Sequence, residues 1–439
     1  MQLTPDMMHP RRYPLTHELH ARPFQPYDAP GRILFLAFKE PVNAAERDRD
    51  LDLAHLIAFI DRHGGPHPSA NATHYTHDFG RFRLKWEQHT EFVTYMLYSP
   101  IAEEELFQHT LGALMEPDWV AAAPGKIISA IEIELLEADG PDGASELIET
   151  GLLKYFNIDG LAIAAVLDTG AIALSDFRIH EGGFTRFALV VHTPRGPRRI
   201  GRTVQRLIEI ETYKTLALLA LPIARDTSRR LNQIELELTD LVARVSEAEG
   251  NEAADILTSL SALSAEIETL SAFAAFRFGA GGAYEKIVRD RIEMLRESRV
   301  EGRQMFREFM LRRFEPAMET CHAAESRLEA LSARASRIGE LLRTRVDVEV
   351  QAQNQQLLRS MDTRAGLQLR LQRTVEGLSF VAISYYAVSL AAYLLTPLAA
   401  PLRVEKTTFI ALIAVPIIVA IWLGARVVRK RFASKRESV

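Results

Sequence analysis

The stretch LSFVAISYYAVSLAAYLLTPLAAPL at residues 378–402, followed after four residues by TTFIALIAVPIIVAIWLGA at 407–425, decides how this chain divides. Neither run contains a charged side chain. At about 1.5 Å of rise per helical residue, each can cross the roughly 30 Å hydrocarbon core of a bilayer. The sequence therefore predicts a two-helix C-terminal transmembrane hairpin (378–402 and 407–425), with residues 1–377 outside the membrane.

Charge around the two runs orients them. Arg359, Arg364, Arg370 and Arg373 precede the first span; Arg426, Arg429, Lys430, Arg431, Lys435 and Arg436 follow the second. The connecting segment holds only Arg403 and Lys406, beside Glu405. An excess of Lys and Arg marks the cytoplasmic side, so both termini are expected in the cytoplasm and the short loop outside. In a bacterium that places the chain in the inner membrane. Arg403, Lys406, Arg426, Arg429, Lys430 and Arg431 are the candidate membrane-interface residues. The tail at 426–439 adds roughly 1 kcal/mol of attraction to anionic lipid per basic residue. The absence of an ionisable residue within the spans argues against an ion path. Ser379, Ser384, Ser389 and Thr396 suit hydrogen bonds to helix backbones, and Pro416 is expected to kink the second span.

Upstream, the hydrophobic period separates two regions. Residues 1–197 read as a cytoplasmic α+β domain with a largely antiparallel sheet. Residues 33–38 form a buried strand or helix start, 81–86 and 91–98 a hairpin, and 127–136 another strand. Residues 161–167, 171–179 and 184–192 form a three-strand meander, and 103–115 has helical spacing. From 198 to 377 the pattern is that of a long-helix, coiled-coil stalk. Leu231, Ile234, Leu238, Leu241 and Val245 recur in steps of three and four, as do Ile256, Leu260, Leu263, Ile267 and Leu270 after a break at 249–251. Gly279, Gly281 and Gly282 predict a joint, followed by a helix ending near Pro316. Beyond it, a helix over 317–396 would be about 120 Å long, weakened at Gly339, Gly366 and Gly377. Helices of this kind pack on neighbours, so a homo-oligomer is expected.

The totals set limits. With 439 residues, two or three structural units are expected. A net charge of −5 excludes a broad basic field for nucleic acid. The single cysteine, Cys321, excludes an intrachain disulfide and fits a reducing compartment. The N-terminal 24 residues contain no apolar core of signal-peptide type.

Ten of the thirteen histidines lie between His9 and His109. His63, His67, His74, His77 and Asp78 have spacings a divalent metal can use, since imidazole and carboxylate together suit zinc or another transition metal. Gly64, Gly65, Pro66 and Pro68 make the stretch a loop, and the alternative is a set of solvated histidines. His17-Glu18-Leu19-His20 falls one residue short of the metalloprotease H-E-x-x-H spacing. His89 and Glu91, two apart at a hairpin turn, can face the same way as an oriented base and carboxylate. Asp168-Thr169-Gly170 mimics an aspartic-protease turn but reads as a tight hairpin. Glu132 and Glu134 share one strand face and read as solvated. No catalytic residue and no cofactor is assigned from these patterns; a metal-dependent hydrolase is the minor enzymatic reading.

Five segments resemble one family, the proteobacterial predicted membrane-anchored proteins grouped as domain of unknown function 3422. They are YPLTHELHARPF (13–24), LKWEQHTEFVTY (84–95), IEIETYKTLALLALP (208–222), LLRTRVDVEVQAQNQQLLRSM (341–361) and LQLRLQRTVEGLSFVAISYY (367–386). The resemblance implies a cytoplasmic N-terminal region and a C-terminal anchor, and brings no activity with it. The architecture is also similar to CorA-type divalent-cation transporters, whose Gly-Met-Asn signature is replaced here by Tyr393-Leu394-Leu395-Thr396-Pro397-Leu398. The sequence thus points to a membrane-anchored interaction or scaffold protein, with a CorA-like channel as the alternative.

Overall fold

A computed structural model describes residues 7–18, 24–41, 44–101, 105–108, 110–247, 252–395 and 406–434. The chain forms two compact units: Met1–Ala248 with Asp255–Gly339, and Glu249–Ala254 with Glu340–Val439.

The first unit is built on β1 (Gly31–Lys39), every residue of which is buried. That is the pattern of a strand covered on both faces. It pairs antiparallel with β4 (Phe92–Ser99) on one side and β5 (Lys126–Glu137) on the other. The remaining strands are β2 (His74–Asp78), β3 (Arg83–Gln88), β6 (Ala162–Val166), β7 (Ala171–Ser175), β8 (Thr185–Val191) and the short β9 (Ser298–Arg299). They form one nine-stranded sheet in the order β2-β3-β4-β1-β5-β8-β7-β6-β9. Among the described strands only the β5–β8 pair is parallel. Two blocks of like connectivity meet at β1 and β5. In the first, β1 leads through α2 (Arg49–His63) to the meander β2-β3-β4; in the second, β5 leads through α4 (Gly140–Leu147) to β6-β7-β8.

One face of the sheet carries two apolar clusters. Leu34, Leu36, Phe38, Trp86 and Tyr95 pack with Leu56, Phe59 and Ile60 of α2 and with Trp119 of α3 (Pro117–Ala121). Ile163, Ile172, Leu174 and Val190 pack with Ala144 of α4 and with Ile148 and Leu152 of the π-helical turn that follows. Each such large side chain removed from water contributes about 1.5–3 kcal/mol. Local signals fix α2: the Asp48 side chain accepts the Asp50 N–H at its start, and Gly64 closes it at φ 78°. The opposite face is covered by α5 (Pro197–Leu218), whose Thr212 hydroxyl reaches Ser129 at 3.4 Å, and by α8 (Phe306–Arg313), whose Phe306 stacks on Phe187.

The rest of the first unit is helical. In α6 (Ala220–Glu247), Leu231, Ile234, Leu238 and Leu241 are buried; in α7 (Glu252–Leu295), so are Ile256, Leu260, Leu263 and Ile267. Met318, Cys321, Ala324, Leu328, Leu331 and Ala335 bury the matching face of α9 (Glu315–Leu395). Arg230 pairs with Glu266 between α6 and α7, and Arg327 with Glu235 between α9 and α6. In the second unit, most side chains of α9 from 341 onward are exposed, and α10 (Lys406–Ser434) runs as helix through Pro416.

Several expectations change. The strand reading holds at 33–38, 91–98, 127–136 and across the meander, although β7 stops at Ser175, before Phe177 turns to φ 52°. The helix expected over 103–115 is absent from its described part. Phe107 has φ 59°, which a helix cannot accommodate, and only Thr110–Leu114 coils, as a 3-10 turn. The sequence reading missed β2, whose alternation is masked by polar residues. It also placed one helix up to Pro316, where α7 instead ends at Leu295 and the chain returns through β9 to the sheet edge. Glu132 and Glu134 are buried rather than solvated, because β5 lies mid-sheet beneath helical cover.

The glycine joint at 279–282 is not a joint, since α7 passes through it unbroken. A Cβ on Gly281 would lie 3.1 Å from the Ala220 Cβ, so this glycine permits close helix approach; Gly279 has nothing within 4 Å. Gly281→Val is accordingly expected to cost about 1–3 kcal/mol by overpacking. Gly279→Ala should instead gain up to about 1 kcal/mol of helix propensity. Urea titrations of both variants check this; equal effects at the two positions would contradict the packing role of Gly281.

Candidate functional site

The proposed metal-ligating residues are spread rather than gathered. The Nε2 of His63 bonds the Leu114 carbonyl at 3.1 Å, and its ring meets Phe82 edge-on. His67 pairs with Asp61 at 2.6 Å. His74, His77 and Asp78 stand on β2, opposite Glu87, Leu84 and Arg83 respectively. The His77 ring packs edge-on against Phe79, and Asp78 lies 3.5 Å from Arg83. No group of three or more His, Cys, Asp or Glu side chains converges on a metal position among the described residues. In the HELH segment, His17 and Glu18 fall in α1 (Arg12–Glu18) with undescribed side chains, and His20 lies outside the described residues. Asp168 occupies the β6–β7 turn, where Leu167, Asp168 and Thr169 are all left-handed, and its carboxylate is held by Arg199.

A buried ionic hub lies beside the predicted His89–Glu91 pair. The ring of His89 stacks on Phe92. Glu91, only 3% exposed, binds Lys39 of β1 at 2.9 Å and Arg277 of α7 at 3.0 Å, and accepts the Tyr284 hydroxyl at 2.9 Å. Burial pushes the Glu91 carboxyl upward, but Lys39, Tyr284 and Arg277 together hold it below its ordinary range. Burial also lowers the Lys39 ammonium. Tyr284 stacks on Tyr213 of α5, so the hub touches three elements beyond its own turn. Sequence reasoning singled out the turn and missed its partners, which are 186 and 193 residues away. Glu134 is likewise claimed, by Arg32 at 2.9 Å and by the Phe107 N–H at 2.7 Å. These carboxylates are saturated by cations and donors, which suits structure better than proton transfer.

The first unit also contains a cavity of about 460 Å³ among the end of α7, the 296–305 connection, α8 and the start of α9. Its volume falls in the range of small-molecule sites. Val288, Ile292, Met310 and Phe314 supply apolar walls, and Arg289, Arg296, Arg307, Glu285, Glu293 and Glu297 supply charge. Glu285 is engaged by Arg289 at 2.8 Å and His322 at 3.0 Å. Glu297 accepts the N–H groups of Phe306 and Arg307, which open α8. Burial pushes the nearby Cys321 thiol up to about 11, so it is not a ready nucleophile.

In the second unit, two helices are long and apolar enough to cross a membrane. The apolar window at Thr407–Val427 has no buried residue, and that of the preceding helix is 6% buried. Arg426 lies over the Trp422 ring at the end of the later segment. Arg403 falls outside the described residues, as do the side chains of Lys406, Arg429, Lys430 and Arg431.

Residues 7–432 match the family described as a protein of unknown function, DUF3422, and the chain belongs to that family. No curated protein and no solved structure matches it.

The Glu91 hub makes a pH-dependent prediction. Its folded-state carboxyl pKa is the depressed one, so its stabilisation is complete above the ordinary glutamate pKa of about 4.3 and fades as pH falls through the folded value. Glu91→Gln leaves Lys39 and Arg277 buried without their anion. It should cost about 3–5 kcal/mol at neutral pH and flatten the acid limb of a stability-versus-pH curve. Thermal melts across the acid range measure both effects; an unchanged acid limb would rule the hub out as its source.

Proposed function

We propose that this DUF3422 protein is a membrane-anchored interaction protein, fixed in the bacterial inner membrane by its two C-terminal apolar helices, with both termini in the cytoplasm. The observation that carries the reading is the uncovered apolar surface of the second unit. Leu378, Tyr393 and Leu412 are 74%, 86% and 72% exposed, in helices that pass the length and composition test for spanning. A contiguous apolar surface on this scale does not persist in water, whereas Leu, Ile, Phe and Val each favour the bilayer centre by about 0.3–0.6 kcal/mol. The arginines at 359–373 and the basic run from Arg426 support the orientation.

Oligomerisation through α9 is the second part of the reading. Leu357, Met361, Leu367, Leu371, Val375 and Leu378 are all exposed, and most recur at helical steps of three or four, the spacing of a helix-packing stripe. Membrane lipid and further copies of the chain are then the proposed partners, and the head offers its surface to proteins yet to be identified.

The chain is expected to stay with membranes through an alkaline carbonate wash, and a truncation after Gly377 to be released. In a Cys321→Ser background, Val404→Cys should react with an impermeant maleimide from outside and Ser438→Cys only after lysis. The reverse labelling pattern would overturn the orientation. Leu357→Asp with Met361→Asp should lower the mass found by native mass spectrometry in detergent; a wild-type monomer would end the oligomer reading.

A further inference from the structure

Arginines along α5 are spaced to collect on one side of the helix. Arg198, Arg202 and Arg206 follow one another at intervals of four, which stacks them on a single helical face. Arg291 of α7 pairs with Glu209 of α5, which brings the end of α7 against this stretch. Just beyond, Arg296 lies within electrostatic reach of Arg206 and also lines the cavity beside α8. Its backbone holds the left-handed φ of 48°, an uncommon conformation for arginine.

The charges here do not balance. Arg206 is half-buried, and besides burial the principal charges acting on it are Arg202, Arg291, Glu209 and Arg296. Glu209 is already engaged by Arg291 and by the Gln205 amide at 2.8 Å. The guanidinium groups of Arg202, Arg206 and Arg296 make no hydrogen bond or ion pair among the described residues, although the Arg296 backbone N–H bonds the Glu293 carbonyl. Cations that are fully buried in the fold behave differently: Arg32 has Glu134, Lys39 has Glu91, and Arg47 has Asp52. Like charges brought together repel, and a partly desolvated cation without an anion is unfavourable. An arrangement of this kind fits an external anion that completes it.

We propose that Arg202, Arg206 and Arg296 bind the phosphate of a phosphate-bearing ligand whose remaining part enters the adjoining cavity. Guanidinium is the side chain suited to this task, because its planar fork bonds two phosphate oxygens at once. Arg296 joins the two halves of the site, since it lines the cavity and its charge acts on Arg206. The apolar wall of Val288, Ile292, Met310 and Phe314 would take a carbon skeleton. Glu293 and the capping Glu297 on the same wall disfavour a second phosphate there. A soluble organophosphate and a lipid headgroup share this chemistry.

The test uses the full chain in phosphatidylcholine nanodiscs, titrated with glycerol 3-phosphate and inorganic pyrophosphate by calorimetry and thermal melting. Glycerol 3-phosphate is expected to bind saturably and raise the Tm. Arg206→Gln should weaken that binding by about tenfold or more, the scale of one lost charge-assisted hydrogen bond. Without ligand, the same variant should melt no lower than wild type, because it relieves repulsion; a purely structural arginine would lower the Tm. Arg202→Gln gives the same readouts if Arg206→Gln fails to fold. Nanodiscs of equal parts phosphatidylcholine and phosphatidic acid separate the sources: suppression of the soluble response assigns a lipid headgroup, and its persistence assigns a free organophosphate. Wild type that does not respond to glycerol 3-phosphate, or that binds pyrophosphate more tightly, or variants that respond as wild type does, would overturn the proposal.

Discussion

The carboxylate of Glu91 ties the sheet to the long helices. It stands in the β3–β4 turn and binds Lys39 at the end of β1, Arg277 and Tyr284, which are a helical turn or two apart on α7. The cost of desolvating these charges is met only when all of them are present, since any one alone would be a buried ion without a counter-charge. The hub therefore specifies where α7 lies against this end of the sheet, and apolar packing follows. Tyr284 stacks on Tyr213, which joins α5 to the same point, and Thr212 of α5 reaches Ser129 on β5. One anion thus coordinates elements that sequence separates by almost two hundred residues.

How much of this was readable depends on the range of the signal. β1, β4, β5 and the meander announced themselves through uninterrupted or alternating apolar residues, and the helices through steps of three and four. Those patterns are local and follow from the periods of strand and helix. β2 was missed because His74, Thr76 and Asp78 are exposed while Tyr75 and His77 are only partly buried, so too little apolar residue marks the alternation. Glu132 and Glu134 were misread for the opposite reason: period alone cannot show that a mid-sheet strand has helices over both faces. The histidines between 63 and 77 illustrate the same limit, since spacing permitted convergence but the α2–β2 connection sends them to separate neighbours.

Glycine at 279–282 shows why a residue's meaning lies in its surroundings. Its lack of a side chain is compatible with a bend and equally with close approach between helices. In this chain Ala217 and Ala220 on one side and Met318 on the other close around Gly281, so removing bulk allows packing instead of motion. In the second unit the same helical period has another consequence. Residues that would be a core stripe on α9 remain exposed there, and the apolar windows at the end of α9 and in α10 are almost without buried residues. Apolar spacing that is satisfied within the first unit is unsatisfied in the second, and it is this surface that the proposed anchoring and self-association would cover.

The treatment of cations separates structural from functional charge. Arg32, Lys39 and Arg47 lie within the fold, and each has an acidic partner from the same unit. Their positions were therefore balanced when the chain folded, and no ligand is required. Arg202 and Arg206 of α5 break this rule, unlike their neighbour Arg199, which pairs with Asp168, while remaining on a helix whose other residues are well packed: Ile200, Val204, Leu207 and Ile208 are buried beside them. Helix propensity does not require arginine at every fourth position, and solvent-facing lysine would serve solubility as well. The repeated guanidinium, the left-handed Arg296 and the neighbouring cavity thus call for one common cause, and an anion with an organic body supplies it.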